Sequence, residues 1–599
     1  MCIRDSGNTI AVGLLANATG LDAIAIGYQA QSKNTNAIAI GSGSQATSDE
    51  AMAIGDAAVA SSTNATAVGH AAVGSANNSS AFGLKARASG QDSTSLGKAS
   101  RATGQGATAV GHFAQADGSR TIAVGAGSLS NQTCAVAIGQ FSRATGTSVL
   151  AIGTNASASK ADAIAIGILS NSSAANTTTV GTKAVASQES ASAYGTEAAA
   201  TGERSMAFGA GSISSNTSTT AMGTAAQATG ISASAYGAGA NSAGENSMSF
   251  GAASTATSKN DLAFGTSAYT SGPNASVFGT LGRATEGDAT AIGFQAQALG
   301  IDSTAVGKGA QATKENAVAL GSDAIASGLG STALGDATTA SGANATALGI
   351  AANASGIDAI AIGKTAKASG IYSISMGAES NASGRSSTAL GDRSIASAND
   401  STALGKGAKA TDISASAVGT ESRSSGFGSL AVGTYTTATK TASSALGACA
   451  AATAESSVAL GYSSISSGVQ STALGTRSSA TGKDAIAIGF QSQSDGLGSI
   501  AIGTESRAIG TDSMALGYKT QAIGEQSTSI GSSTRATGRS SFAIGHDAIA
   551  TGQNSFAIGT GATSELDDAI AIGTNTEAEY GSRSALNSIT IGAKGNGTA

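Results

Sequence analysis

The sequence has little of what globular, catalytic or disulfide-rich proteins use. Its 599 residues include no Trp, 1 Pro and 3 Cys, while 4% are aromatic and 11% are charged. Three cysteines cannot build a disulfide framework. A formal net charge of −6 spread over this length provides no basic surface for nucleic acid. No apolar run approaches the roughly 20 residues that a bilayer-spanning helix needs.

Glycine is abundant, and its spacing is regular. Of 83 glycines, 41 recur every 14 residues from Gly13 to Gly573 without an insertion or deletion. Loops of globular enzymes tolerate changes of length, whereas each coil of a solenoid must superimpose on its neighbour. The spacing therefore predicts an all-β solenoid of 14-residue coils, each with a glycine at a turn. The first eight of these structural turn glycines are Gly13, Gly27, Gly41, Gly55, Gly69, Gly83, Gly97 and Gly111.

The residues around each repeat glycine predict two short strands per coil. Counting from that glycine as position zero, position −1 is large and apolar in all 41 coils and position −2 is Ala in 35. Positions +3 and +5 are mostly Ala or Ser, and position +4 is often a long polar residue such as Gln31 or Arg87. An alternation with a period of two is typical of β-strands. Each coil is therefore predicted to contain two strands and two turns.

The second turn is predicted at positions +6 to +9. The segment Thr19-Gly20-Leu21-Asp22 shows the common pattern, with Gly at +7 and Asp or Asn at +9. Glycine adopts positive φ without strain, and Asp or Asn hydrogen-bonds its own backbone. We therefore expect the +7 glycine to supply the positive φ of this turn.

The large −1 residues predict self-association. The small columns must point inward because the polar +4 column needs water, so the −1 column faces outward as a stripe roughly 190 Å long. A soluble monomer does not normally expose such a patch. Burying the stripe is worth on the order of 80 kcal/mol gross per chain, opposed by chain entropy. We expect a parallel cyclic oligomer, and this argument leaves dimer and trimer open. The first eight predicted seam residues are Val12, Ile26, Ile40, Ile54, Val68, Phe82, Leu96 and Val110.

The chemistry-bearing residues predict no catalytic, metal or cofactor site. His70, His112 and His546 each follow a repeat glycine, so each is expected at a turn, satisfied or solvated. The many serines lack an elbow motif or a base partner. The calcium-binding Gly-Gly-x-Gly-x-Asp nonapeptide is absent. We therefore expect a non-enzymatic protein without a cofactor.

The repeat resembles the head repeats of YadA-like trimeric autotransporter adhesins. Asp22-Ala23-Ile24-Ala25-Ile26-Gly27 is similar to the family's Asn-Ser-Val-Ala-Ile-Gly, and the similarity recurs in register over about residues 7–592. The resemblance implies a left-handed parallel β-roll and a parallel homotrimer with its apolar columns toward the threefold axis. It also implies an adhesin head at the cell surface, in the outer membrane and exposed extracellularly. Its partners would be itself and an extracellular matrix protein, host surface or glycan, without nucleic acid or membrane insertion.

Two other functions remain open from the sequence. Similar repeats occur in phage and viral tail fibres, so the chain is alternatively the shaft of a virion tail fibre. An ice-binding solenoid is a third interpretation. It needs a regular Thr ladder, whereas Ile, Met and Leu interrupt the Thr residues of the −3 column.

The domain organisation is predicted to be one array with irregular ends. Residues 1–6 fit no column and resemble a translated transposase mosaic-end adapter, so we expect an assembly scar and a missing natural N-terminus. Residues 7–573 form the array of about 41 repeats. Residues 574–599 hold an irregular last repeat, because Gly573 and Gly592 are 19 residues apart, and a truncated end. No neck, heptad stalk or anchor sequence is recognised.

Overall fold

The computed structural model describes residues 7–578 and 589–592. The predicted scar at 1–6 and most of the irregular end at 574–599 lie outside the described residues. The chain divides into two compact units, residues 1–302 and 303–599, and each contains parallel β-solenoid coils. The described part of the chain contains strands and turns and no helix, so it has no helix that could cross a membrane. The all-β solenoid prediction is confirmed, and the handedness stays a prediction.

Each coil contributes one three-residue strand and one two-residue strand. The longer strand covers positions −3 to −1 and recurs from Ile10–Val12 to Ile570–Ile572. The shorter strand covers positions +4 and +5 and recurs from Asn17–Ala18 to Glu577–Ala578. The exceptions are the five-residue strands Thr528–Ser532 and Phe542–His546. A last three-residue strand, Ile589–Ile591, follows the array.

Within each unit every strand pairs in parallel with the equivalent strand of the next coil. Ile24 pairs with Ile38 and Gln31 with Gln45, so the register equals the 14-residue repeat. The final coil is longer, because Ile570 pairs with Ile589, 19 residues on.

Four small columns fill the interior of each coil. Ala23, Ala25, Ala30 and Ser32, at positions −4, −2, +3 and +5, are fully buried. A core of Ala and Ser buries little apolar area, since Ala has one methyl group. Hydrogen bonds between coils supply regular cohesion, as when the Ile24 N–H donates to the carbonyl of Ala37 at 2.9 Å.

Buried hydroxyl groups pair across the thin interior. In one coil the Ser95 and Ser100 hydroxyl oxygens lie 2.7 Å apart, from positions −2 and +3. The Ser214 hydroxyl donates to that of Thr219 at 2.7 Å, from position +5 and the following −4. Because buried polar groups are costly when unpaired, such pairs let serine replace alanine in the core.

The repeat glycines are required at their turn for two reasons. All 41 have φ between +123° and +154°, a range that residues with a Cβ rarely adopt. They also face the backbone of the next coil: a Cβ on Gly55 would lie 2.5 Å from the carbonyl oxygen of Gly69. The spacing of these glycines therefore follows from how closely successive coils approach.

The prediction for the +7 glycine is wrong. Gly20 has no positive φ, and the positive φ values occur at +9, as in Asp22 at 56°, and at +2, as in Gln29 at 54°. A Cβ on Gly20 would overlap the carbonyl group of Asn34 in the next coil. The +7 glycine therefore provides space between coils, and Asp or Asn tolerates the left-handed conformation at +9.

Candidate association face and polar groove

The three-residue strands present an outer apolar face, formed by the residues at positions −3 and −1. The structure places all eight predicted seam residues on this face. Val12, Ile26, Phe82 and Leu96 are 37–47% exposed. The other four, which are half-buried, are Ile40, Ile54, Val68 and Val110. Equivalent residues one coil apart shield each other, and the remaining apolar surface points away from the core.

The −3 residues belong to the same face, although the predicted seam did not include them. Ile24 and Ile38 are half-buried beside the −1 residues of their own strands. The period of two already placed −3 and −1 on one side of the strand. Position −3 is apolar in 22 coils and Ser or Thr in 19, so the face is continuous only along the −1 column.

The two-residue strands present a different outer face, formed by the +4 residues. Nine of these are Arg or Lys, eight are Gln, and the single acidic one is Glu577. Arg101 of this column forms an ion pair along the stack, where its Nε lies 3.0 Å from Asp117 Oδ1 in the next coil. Nine further +4 residues are Val, Leu or Ile, so this face is mixed in polarity, whereas the −1 column is apolar in every coil.

A polar groove lies along the +2 and +4 columns of the second unit. Its volume is about 550 Å³, and its lining residues are Gln491, Gln493, Glu505, Arg507, Lys519 and Gln521. Lys519 Nζ lies 3.7 Å from Glu505 Oε2 and 5.1 Å from the ring centre of Tyr518. A hydrogen bond with Tyr518 and the negative charge of Glu505 raise the pKa of Lys519. The groove offers amide and charged groups to a polar ligand.

Comparison with known proteins identifies the repeat. The family model described as the YadA head domain repeat (2 copies) matches most of the chain. The chain belongs to the YadA head repeat family. The matched segments are residues 7–30, 18–44, 46–72, 75–100, 102–128, 135–156, 186–212, 200–226, 242–268, 256–281, 284–310, 312–338, 340–366, 368–394, 396–422, 424–448, 452–478, 480–506, 508–534, 536–562 and 550–576.

A solved structure is also similar to part of this YadA-type head. It is the crystal structure of the collagen-binding domain of the Yersinia adhesin YadA, with 26% sequence identity over 30% of this chain and 69% of that chain. Its TM-score is 0.11, too low to support an argument from superposition. No curated protein sequence matches the chain.

The histidines of the YadA-type head do not come together. His70 Nε2 lies 3.1 Å from Asp56 Oδ2 at an exposed turn, and His112 also occupies a turn. His546 instead ends the strand Phe542–His546, so the turn prediction is wrong there, because that strand continues through Gly545. In the ranges that the structure describes, no group of three or more His, Cys, Asp or Glu residues could hold a metal ion.

One buried acid escaped the sequence prediction. Asp261 is 1% exposed at position −4, where it is the only charged residue of its column. Its carboxylate accepts hydrogen bonds from the Ser258 N–H at 2.7 Å and, in the next coil, from the Ala275 N–H at 3.2 Å. Burial raises the pKa of Asp261, and these hydrogen bonds oppose the rise. The carboxylate therefore links two coils from inside the solenoid.

The two described cysteines are exposed free thiols. Cys134 occupies position +9 and Cys449 position +2, and both have positive φ, at 58° and 57°. They lie on the turns and contribute to neither outer face.

Proposed function

We propose that the chain is the non-enzymatic head of a surface adhesin, in which three copies associate in parallel along the outer apolar face. Membership of the YadA head repeat family supports an adhesin. The observation that carries the association is the −1 column, which is apolar in all 41 coils and points away from the core. A monomer would leave this face in water at every coil.

The polar surfaces that remain are proposed to make the attachment. The +4 columns and the turns carry Arg, Lys, Gln and Thr side chains in many coils, although the +4 residue is Val, Leu or Ile in nine of them. Contacts that are weak individually give high avidity when many engage one surface together. The proposed targets are extracellular matrix proteins, collagen included, and host cell surfaces, with the head exposed at the cell surface.

The first experiment measures the mass of the purified full-length chain by multi-angle light scattering. A homotrimer gives three times the 56.8 kDa of one chain. A mass of one chain contradicts the proposed association, and a mass of two chains contradicts the trimer.

The second experiment measures attachment. Fluorescent beads carrying the full-length chain are applied to immobilised collagen, to other matrix proteins and to cultured cells, and retention under flow is compared with uncoated beads. We expect retention that rises steeply with the density of chains on the bead, as avidity requires. Absence of retention on every surface contradicts an adhesin.

A further inference from the structure

One stretch of the outer apolar face in the first unit has aromatic side chains at position −1. We call it the aromatic block. It spans seven successive coils, whose −1 residues are Tyr194, Phe208, Met222, Tyr236, Phe250, Phe264 and Phe278. Outside it, Phe82 is the one aromatic −1 residue, and from Ile292 to Ile572 the column holds only Val, Ile, Leu and Met.

The rings of the block contact each other along the chain and remain exposed. The centres of the Phe250 and Phe264 rings are 4.7 Å apart and the rings are stacked within 5°, while the centres of Phe264 and Phe278 are 6.2 Å apart. These three side chains are still 41–46% exposed. Tyr194 also contacts Phe208, and Tyr236 contacts Phe250, so neighbouring rings restrain each other while their outer surface stays exposed.

The −3 residues beside the block differ in size. Ser192 and Ser234 lie beside Tyr194 and Tyr236, so each tyrosine stands next to a small residue. In the coils that follow these two tyrosines, Met206 and Met248 lie beside phenylalanines. Small and large −3 residues therefore both occur within the block.

Outside the block, the −1 column of the face is too uniform to specify alignment. If two copies slip past each other by one coil, an Ile, Leu or Val meets another residue of similar volume, and volume-conserving exchanges are well tolerated. Register is weakly specified wherever successive strands present the same pattern. A slip that moves a ring of the block onto an aliphatic layer leaves a void or an overlap.

We propose that the aromatic block sets the register in which copies of this chain associate, each −1 aromatic residue meeting the same residue of its partner copies. The occupant of the face is a second copy, because only a chain with the same coil height presents a matching layer at every coil. This inference rests on the self-association proposed above, and it adds that the alignment depends on these few residues.

Spin-label distances test the alignment in the full-length chain. Cys134, an exposed thiol in the first unit, carries the label, and Cys2→Ser with Cys449→Ser removes the other thiols. Pulsed dipolar spectroscopy then measures the distances between labels on different copies. An aligned assembly gives one narrow distance. Each slip by one coil adds an axial offset of about 4.8 Å and produces further distances.

The test variant converts all seven aromatic −1 residues to Leu. They are Phe82, Tyr194, Phe208, Tyr236, Phe250, Phe264 and Phe278. We expect several distances in place of one, with the oligomer mass by light scattering and the β-sheet circular dichroism unchanged.

A matched control makes seven aliphatic substitutions to Leu on the same face of the same unit. The residues changed are Ile26, Ile40, Ile54, Ile138, Ile152, Ile166 and Ile292. We expect one narrow distance, as in the unsubstituted chain. A rescue variant starts from the chain whose seven aromatic residues are Leu and places Phe at the seven isoleucine positions of the control. It should again give a single distance.

The outcomes separate the two proposals. A single distance in the variant without the block overturns the register inference. Several distances in the unsubstituted oligomer also overturn it, although self-association survives. A monomeric mass for the unsubstituted chain overturns the proposed self-association, and the register inference falls with it.

Discussion

The coils of residues 23–72 and those of residues 261–284 share a backbone path but have different interiors. In the first stretch every inward residue is Ala or Ser. The second stretch buries Asp261, carries Val277 at −2 and has Gly282 at +3, where no other coil has a glycine. A Cβ on Gly282 would lie 2.6 Å from Val277 Cγ1, so the missing side chain makes room for the larger one. The coil tolerates an unusual interior residue where a neighbour compensates for it.

The largest expected effect comes from charging the outer apolar face of the regular coils. Ile26, Ile40 and Ile54 replaced together by Asp should open the assembly there, because unpaired carboxylates are costly to bury. A spin label is attached at Ser42→Cys in a chain without its native thiols. The distribution of distances between labels on different copies should broaden, and light scattering should show a lower mass. The control places Asp at +4 of the same coils, at Gln31, Gln45 and Val59, and should leave both readouts unchanged. Wild-type values for both readouts in the Ile variants would refute this placement of the seam.

The next effect comes from the repeat glycines of the same coils. Gly41→Ala should destabilise the adjacent coils by about 2–6 kcal/mol. The alanine backbone would be held at a strained φ, and its methyl group would overlap the carbonyl of Gly55. Amide hydrogen exchange of these coils measures the loss. Gly43→Ala is the control: its position is open, and Ala57 adopts the same conformation one coil on. Equal protection in the two variants would contradict the steric role of the repeat glycine.

A smaller effect tests compensation in the irregular coils. Gly282→Ala alone should cost about 1–3 kcal/mol through overlap with Val277, and Val277→Ala alone about 1.6 kcal/mol for two lost methyl groups. The double variant restores the usual Ala at both positions and should be more stable than the sum of the single effects predicts. A double-mutant cycle of hydrogen-exchange protection measures the coupling. Additive effects would show that the two residues are independent.

The smallest effect concerns the buried acid. Because burial raises the pKa of Asp261 above its ordinary 3.8, the folded chain binds that proton more tightly than the unfolded chain. The buried charge therefore costs stability above the folded-state pKa, and the cost disappears as the pH falls toward 3.8. Asp261→Ser should stabilise its coil at pH 7 and lose this advantage in acid.

The comparison for Asp261 uses an exposed acid. Asp162→Ser changes a residue at +9, a column in which Ser148 and Ser190 already occur with positive φ. Its effect on hydrogen exchange should be small, because the Asp162 side chain is exposed. If Asp261→Ser has the same effect on hydrogen exchange at pH 7 and in acid, burial does not raise the pKa of Asp261.

Much of the fold was predictable because it repeats. The small residues at Ala23, Ala25 and Ala30 and the large Ile26 follow a period of two, which places the first three inside and the last outside. The outer apolar face was predictable along the −1 column for the same reason. Its −3 members were overlooked because Ser and Thr interrupt that column, so the face is less evident in the sequence.

By itself the sequence determined the coil length, the two strands, the small interior and the apolar column, since these depend on spacing and on side-chain size. Only the tertiary structure decided which turn residues adopt positive φ, what the +7 glycine does, why Gly282 accompanies Val277 and how Asp261 is held. Each of these depends on contact with backbone or side chains elsewhere in the stack. Such contacts are only a few ångströms long and join residues in different parts of a coil or in different coils, which the local sequence pattern does not relate to each other.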